Sequence, residues 1–150
     1  MIRPALDADA AAIAEIEART WRWAYEDFIP TEAMPIATER VPLWREHIAG
    51  TGVRVFDQDG TVVGYAAVRE DKLAALYVDP AAQGAGVGSR LLVDAHARLR
   101  AAGHARAWLY VFADNAQSCA FYERHGWTPV GGVVGADHWH GPGRRYEREL

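Results

Sequence analysis

The apolar and polar positions of this 150-residue chain follow the two-residue period of strands in some segments and the longer period of helices in others. Two β-rich runs within residues 53–70 flank Asp59-Gly60, a pair typical of a tight hairpin turn. Residues 72–79 continue as a third strand of this group. The next apolar positions recur at helical spacing ahead of Gly103, a residue type that often ends a helix; they are Val87, Leu91, Ala95 and Leu99.

The N-terminal part of the chain is predicted to hold one short strand followed by helix and loop. Residues 1–5 can form the strand, and Asp7 or Asp9 can then cap a helix. The apolar positions of that helix are Ile13, Ile16 and Trp21. Three prolines interrupt the following stretch, for which we predict a loop with one or two short helices; they are Pro30, Pro35 and Pro42.

The C-terminal part is predicted to add a strand, a helix and two closing strands. The strand covers residues 105–113, and the helix begins at Asn115, a good N-cap, and stops at Gly126. The closing strands flank a loop at residues 136–143. The resulting order is β-α-α-β-β-β-α-β-α-β-β, which we interpret as one α+β domain spanning residues 1–150 around a central mixed sheet.

The segment LYVDPAAQGAGVGSRLL, residues 76–92, places three glycines between a predicted strand and a predicted helix. Glycine permits positive φ and close approach, and a helix N-terminus offers unpaired N–H groups at the positive end of the peptide dipole. Together these favour an anion site, most often one for phosphate. The spacing lacks the Gly-Lys of a P-loop, and Ser89 stands where a dinucleotide fingerprint needs its last glycine. What remains is Gln83-x-x-Gly86-x-Gly88.

Composition limits the partners and the compartment. The formal net charge of −4 and pI near 5.8 give no support to a nucleic-acid surface. No apolar run is long enough for a membrane span, and the N-terminus lacks the apolar core of a signal peptide. The single cysteine, Cys119, cannot form an internal disulfide, so we expect a cytoplasmic protein. A monomer and a homodimer both stay open.

Two motifs resemble those of the GNAT superfamily of acetyl-CoA-dependent N-acetyltransferases. Gln83-x-x-Gly86-x-Gly88 is similar to the pyrophosphate loop that follows the family's fourth strand. The second motif, N-x-x-S-x-x-x-Y-E-x-x-G-W at residues 115–127, is similar to the helix after its fifth strand. The resemblance extends over nearly the whole chain by element order, and implies a mixed, mostly antiparallel sheet flanked by helices.

The resemblance implies acetyl-CoA as the acetyl donor, with cofactor contacts from three segments. Backbone groups of the Gly-rich turn would surround the pyrophosphate; its residues are Gln83, Gly84, Ala85, Gly86, Val87, Gly88 and Ser89. The fourth strand would pair with the pantetheine amides through the main chain of Leu76, Tyr77 and Val78. The Leu76 N–H would polarise the thioester carbonyl. Asn115 and Ser118 would face the same arm, although Asn115 also suits a plain helix cap.

The resemblance also implies that Tyr122 protonates the departing thiolate, and a phenol is protonated at neutral pH. The alternative is a packed aromatic residue beside Phe121. The general base stays open, because the predicted fourth strand has no acid where many relatives carry a glutamate. The candidates are Glu26, Asp27, Tyr110, Asp114 and His138, or a water chain that ends at one of them.

The acceptor is expected opposite the cofactor, between the early helix with its loop and the late loop. These segments supply Trp21, Trp23, Tyr25, Glu26, Asp27, Phe28, Asp137, His138 and Trp139. Rings and carboxylates suit an amine with an apolar body, although Trp21, Trp23 and Tyr25 could equally pack the first helix on the sheet. We expect no metal, because His138 and His140 lack a third ligand at metal spacing.

The predicted function is therefore transfer of the acetyl group of acetyl-CoA to the primary amine of a small molecule or peptide by direct attack on the thioester. A phosphinothricin-type acetyltransferase, acting on an anionic amino-acid analogue, is the alternative among enzymes. A coenzyme A-binding module without turnover is a second alternative, against which the retained Tyr122 argues. A nucleotide-phosphate binder is disfavoured by the missing lysine and acid.

Overall fold

The computed structural model describes residues 1–27, 29–134 and 142–150, and these form a seven-stranded sheet with helices on both faces. The predicted α+β order is confirmed. The strands are β1 Ile2–Pro4, β2 Val53–Gln58, β3 Thr61–Arg69, β4 Lys72–Val78, β5 Arg106–Phe112, β6 Thr128–Val134 and β7 Gly143–Glu149. The α-helices are α1 Ala10–Tyr25, α2 Ala37–Ala49, α3 Val87–Ala101 and α4 Ala116–Arg124. No helix of the described residues is long and apolar enough to cross a membrane.

The sheet runs in the order β1-β2-β3-β4-β5-β7-β6, and its strand pairs are antiparallel except for β4 with β5. The predicted mixed, mostly antiparallel sheet is therefore confirmed. The hairpin between β2 and β3 turns at Asp59 and Gly60, whose φ angles of 53° and 88° are those of the tight turn that the pair predicts. The parallel pair is made possible by α3, which crosses between β4 and β5.

Alternate residues along the central strands point to two separate cores, one on each face of the sheet. Tyr65 of β3 packs in a cluster with Ile13 and Ile16 of α1 and Trp44 of α2. The next residue, Ala66, packs on the other face in a cluster with Leu91 of α3. Helices α1 and α2 thus cover one face of the sheet, and α3 covers the other.

Helix α2 runs through Pro42, at which the sequence predicted an interruption. Proline lacks a backbone N–H, so the helix loses one internal hydrogen bond at that point. Burial of Trp44, two residues further on, helps to offset that loss, because its side chain is 4% exposed and its Nε1–H donates to Glu17. Tertiary packing therefore overrides the local signal.

The predicted helix ends are confirmed at both cross-over helices. Gly103, with φ 92°, follows the last turn of α3, and the N–H of His104 donates to the carbonyl of Leu99. Gly126, with φ 85°, ends α4 in the same way. At the start of α1, Asp9 occupies the cap position, but its carboxylate accepts from the Leu6 N–H and from Arg3 instead of from the helix.

A buried histidine links α3 to the strand that follows α4. The Nε1–H of Trp127 donates to His96 Nε2 at 3.1 Å, so this nitrogen must be unprotonated. Burial lowers the pKa of His96 from 6.5 to about 4, and the nearby positive charges of Arg148 and Arg100 act in the same direction. His96 is therefore neutral in the folded chain at neutral pH.

This pairing predicts a loss of stability in mild acid. As pH falls from 6.5 towards 4, the unfolded chain takes up a proton at His96 and the folded chain does not. The free energy of unfolding should fall over that window by up to about 3 kcal/mol. His96→Gln keeps an acceptor for Trp127 and cannot titrate. The free energy of unfolding, measured with urea, should therefore depend less on pH in this variant. An equal dependence on pH in the two proteins would contradict the neutral state of His96.

Candidate active site

The sheet opens between β4 and β5. Within the described residues these strands share one pair, Lys72 with Trp108, and their ends then diverge. Asp79 donates its N–H to Val63 on the β3 side at 2.8 Å. Asp79 therefore directs its backbone groups towards β3. Because alternate residues of a strand face opposite edges, Leu76 and Val78 direct their backbone groups towards the opening. A row of main-chain donors and acceptors thus borders the gap.

The Gly-rich turn lies at the end of that row. Gly84 and Gly86 both have φ 82°, and Gly86 directly precedes the first residue of α3. A Cβ added to either would meet nothing within 4 Å, so the backbone of the turn faces open space. Arg90 donates its N–H to the Gly86 carbonyl, and the N–H groups ahead of it are those that a helix leaves unpaired. This is the geometry of an anion site.

A cavity of about 500 Å³ joins the opening to the Gly-rich turn, α1 and α4. It brings together most residues that the sequence assigns to the site; these are Leu76, Tyr77, Val78, Gln83, Gly84, Gly86, Val87, Gly88, Ser89, Asn115, Ser118, Tyr122 and Tyr25. Gln83 donates its side-chain amide to the carbonyl of Val78 at 3.0 Å. Ala85 lines a neighbouring cavity on the other side of the turn instead.

Tyr122 reaches the cavity from α4 with a side chain fixed by other rings. Its ring makes edge contacts with Phe121 and Trp127, with centroids 5.2 and 6.0 Å apart, so the packing role predicted as an alternative is also present. Its hydroxyl forms no hydrogen bond with any described residue and lines the cavity. Burial raises the pKa of Tyr122, which keeps this phenol protonated at neutral pH. The Tyr122 hydroxyl is therefore a fixed donor without an acceptor among the described residues.

Asn115 has two roles. Its Oδ1 accepts from the Ser118 N–H at 3.0 Å, which confirms the predicted N-cap of α4. Because Oδ1 is used there, Nδ2 is the group that donates to the Tyr25 hydroxyl at 2.9 Å. Asn115 therefore ties α4 to α1 across the cavity.

The α1 wall of the cavity is held by aromatic packing. Trp21 itself does not line the cavity; its ring lies edge-on to Tyr25 and Phe112, with centroids 5.2 and 5.5 Å apart. The Nε1–H of Trp21 donates to the Tyr77 hydroxyl at 3.1 Å. Trp23 lines the rim and is 51% exposed. Trp21 thus serves as packing, whereas Trp23 and Tyr25 face the space.

The described candidates for a general base do not line the cavity. Glu26 and Asp27 follow the last turn of α1 and are exposed, as is Asp114. Tyr110 lies on β5 against Trp108, with 5.4 Å between ring centroids, and does not line the cavity. His138 lies outside the described residues, as do Phe28, Asp137 and Trp139. Among the described residues that line the cavity there is no aspartate, glutamate or histidine.

Sequence reasoning missed several lining residues; these are Thr20, Ala24, Ala82, Gln117, Phe121 and Arg124. On α4 a signal was available, because Gln117, Ser118 and Phe121 lie on the same helical face as Tyr122. Thr20 could have been found in the same way, since it stands one turn before Ala24 on α1. The described residues hold no group of three or more metal-ligating side chains.

Comparison with known proteins decides the family. The sequence model of the acetyltransferase (GNAT) family matches residues 11–127, which is most of the chain. The chain belongs to this family. Its match begins in α1 and ends after α4, so it includes both motifs at the cavity.

Individual relatives share either a short segment or the whole fold. Mycothiol acetyltransferase of Beutenbergia cavernae is 51% identical over 55 residues, which are 37% of this chain and 18% of that protein. A GCN5-related N-acetyltransferase of Rhodopseudomonas palustris matches all of this chain and 95% of its own, with a TM-score of 0.86 at 22% identity. PaiA N-acetyltransferase of Thermoplasma acidophilum, solved with coenzyme A, matches 100% of this chain and 98% of its own, with a TM-score of 0.78 at 20% identity. These structures share the GNAT fold with the chain.

Proposed function

We propose that the chain is an acetyl-CoA-dependent N-acetyltransferase whose acceptor is the primary amine of a small molecule or peptide. The observation that carries the proposal is one cavity with three features at its border. They are the open edge of strand β4, the N-terminus of helix α3 and the phenol of Tyr122. The three features match the three parts of acetyl-CoA that need recognition: amides, pyrophosphate and thioester. A family relative solved with coenzyme A supports the same cofactor.

In this proposal the pyrophosphate lies on the Gly-rich turn, where the unpaired N–H groups and the dipole of α3 attract negative charge. The pantetheine arm runs along the open edge of β4 and pairs with the backbone of Val78 and Leu76. The thioester carbonyl then meets the N–H of Leu76, a donor that stabilises the oxyanion as charge develops. Asn115 and Ser118 border the arm from α4.

The reaction is direct transfer. The amine nitrogen attacks the thioester carbon, the carbon–sulfur bond breaks, and an amide and a thiol result. The amine must lose a proton and the departing sulfur must gain one. Tyr122 supplies a hydrogen bond and a proton at the sulfur, because burial keeps its phenol protonated. The proton of the amine passes to water, since no described acid or imidazole lines the cavity.

The lining also bears on the acceptor. A buried ammonium without a partner is expensive, and the described lining offers no carboxylate to pair with it. One lining cation, Arg124, is also too little for a doubly anionic acceptor. We therefore infer that the amine reacts in its neutral form, and that the remainder of the acceptor near the thioester is uncharged.

A thiol-release assay tests the function. Acetyl-CoA is incubated with the protein and a panel of amines, amino acids, amino-acid amides and N-terminal peptides, and free thiol is followed with time. We expect release that depends on an amine and yields its N-acetyl product. Binding of acetyl-CoA without release for any amine would instead favour a coenzyme A-binding module.

The Gly-rich turn gives a prediction on cofactor affinity. Gly86→Ala places a methyl group in the space assigned to the pyrophosphate, so thermal stabilisation by acetyl-CoA should fall markedly. Gly103→Ala is the matched control, because Gly103 has φ 92° against 82° for Gly86, lies at the other end of α3, and also meets nothing within 4 Å. Both changes strain a left-handed residue by about 1 kcal/mol. An equal rise in melting temperature on addition of acetyl-CoA in the two variants would show that the turn does not contact the cofactor.

Tyr122 gives a prediction on turnover. Tyr122→Phe keeps the ring packing and removes the donor, so kcat should fall roughly 100-fold while the affinity for acetyl-CoA changes little. Tyr146→Phe is the control, since the Tyr146 hydroxyl is occupied by Glu123 at 3.2 Å and does not line the cavity. Steady-state kinetics measure both. A kcat of Tyr122→Phe within about twofold of the parent would assign sulfur protonation to water.

A further inference from the structure

An acidic side chain stands at the start of the segment that carries the Gly-rich turn. Asp79 follows β4 directly, and its Oδ1 accepts from the Ala81 N–H at 3.1 Å. This bond caps the short 3₁₀ helix Pro80–Ala82, which leads to Gln83 and Gly84. The carboxylate therefore helps to fix the chain where it enters the turn.

The same carboxylate stands close to the place proposed for the pyrophosphate. Asp79, Gln83 and Ala85 line one cavity on the outer side of the turn, and Gln83 also lines the cavity of the proposed active site. A negative charge beside an anion site repels the ligand, and the repulsion near a protein surface is stronger than in bulk water. The cap of the turn thus opposes the ligand of the turn unless its charge is neutralised.

Arg19 of α1 supplies the neutralising charge. Its Nη2 donates to Asp79 Oδ2 at 2.6 Å, the oxygen that the cap of the 3₁₀ helix does not use. Glu15, one turn earlier on α1, is a more distant partner of Arg19 at 3.6 Å and is more exposed than Asp79. Arg90 also lines the outer cavity, but its guanidinium lies over the Phe56 ring at 4.8 Å and forms no ion pair with Asp79. Arg19 does not itself line the cavity of the proposed active site, so its effect on a ligand there would pass through Asp79.

We propose that Arg19 neutralises the Asp79 carboxylate and thereby lets the Gly-rich turn bind a pyrophosphate while an acidic residue serves as its cap. The inference rests on the proposed use of acetyl-CoA and adds to its recognition a residue outside the cavity. Arg19 is a positioning residue, because it holds the side chain of Asp79 and touches neither the ligand nor the reacting atoms. Since Arg19 is 47% exposed, the pair contributes little to the free energy of unfolding.

The donors acetyl-CoA and S-acetylpantetheine separate the pyrophosphate from the rest of the cofactor. Both carry the thioester and the pantetheine amides, and only acetyl-CoA carries the pyrophosphate. Arg19→Gln leaves the Asp79 charge without its partner, so the KM for acetyl-CoA at low ionic strength should rise roughly three- to tenfold. The KM for S-acetylpantetheine, the kcat with either donor and the ligand-free melting temperature should change little. Arg19→Lys keeps the positive charge and should keep the KM of the parent protein.

A substitution at the partner residue tests the charge itself. Asp79→Asn keeps an oxygen that can accept from the Ala81 N–H and removes the negative charge. Combined with Arg19→Gln, it should restore the KM for acetyl-CoA towards that of the parent protein. A purely structural role of the pair would not recover in this double variant, because the ion pair between α1 and the end of β4 remains broken.

Arg54→Gln is the matched control. Arg54 pairs with Asp94 at 3.0 Å, with side chains about as exposed as those of Arg19 and Asp79, and neither Arg54 nor Asp94 lines the two cavities. The substitution removes the same charge from the chain, so a general effect of net charge on anion binding would appear here too. We expect the KM for both donors to stay unchanged in this variant.

Several results would overturn the role of Arg19. They are an unchanged KM for acetyl-CoA in Arg19→Gln, an equal rise in the KM for S-acetylpantetheine, an equal rise in Arg54→Gln or in Arg19→Lys, and no recovery in the double variant.

A thermal-shift titration with coenzyme A and with pantetheine needs no turnover and keeps the two proposals apart. If no amine releases thiol, the acetyltransfer fails, and the titration still tests Arg19. A shift by coenzyme A that Arg19→Gln reduces and the double variant restores supports its role. An equal shift in the parent protein and both variants, or no shift by coenzyme A in the parent protein, refutes it.

Discussion

The site depends on the divergence of two neighbouring parallel strands. Strands β4 and β5 share the pair Lys72 with Trp108 and then part, which leaves backbone groups of β4 without a strand partner. Buried backbone groups must be paired, so the gap has to admit water or a ligand. Aromatic side chains stand between the strand ends: Phe112 of β5 packs on Tyr25 with centroids 4.5 Å apart, and Tyr77 of β4 bonds Trp21. Helix α1 thus fills the part of the opening that a ligand does not.

The two ends of the cavity are built by different means. At the Gly-rich turn the donors are backbone N–H groups whose positions are fixed by α3, and the helix dipole favours an anion there. On the α1 side the hydroxyl of Tyr77 is held by the indole of Trp21, so this side depends on side chains. Substitutions in α1 can therefore change one end of the cavity without altering the backbone of the turn.

Local signals in the sequence predicted the elements well. Asp59-Gly60, Gly103, Asn115 and Gly126 each determine a turn or a helix end through their own backbone or side chain, so they can be recognised without the rest of the fold. Helix α2 was harder, because its passage through Pro42 depends on burial of Trp44. The cofactor segments were predicted through their motifs. Thr20 was not, because neither motif extends to α1.

Among the described residues, the buried acid of α1 serves the structure and does not line the cavity. Glu17 of α1 is 5% exposed, but its two oxygens accept from Arg40 at 2.7 and 3.0 Å, and Trp44 donates to it as well. These bonds hold α2 against α1, and a carboxylate engaged in this way is committed to structure. Releasing it would leave the Arg40 charge without a partner. Glu17 therefore joins two helices, and the α1 wall of the cavity is left to neutral side chains, among them Trp23 and Tyr25.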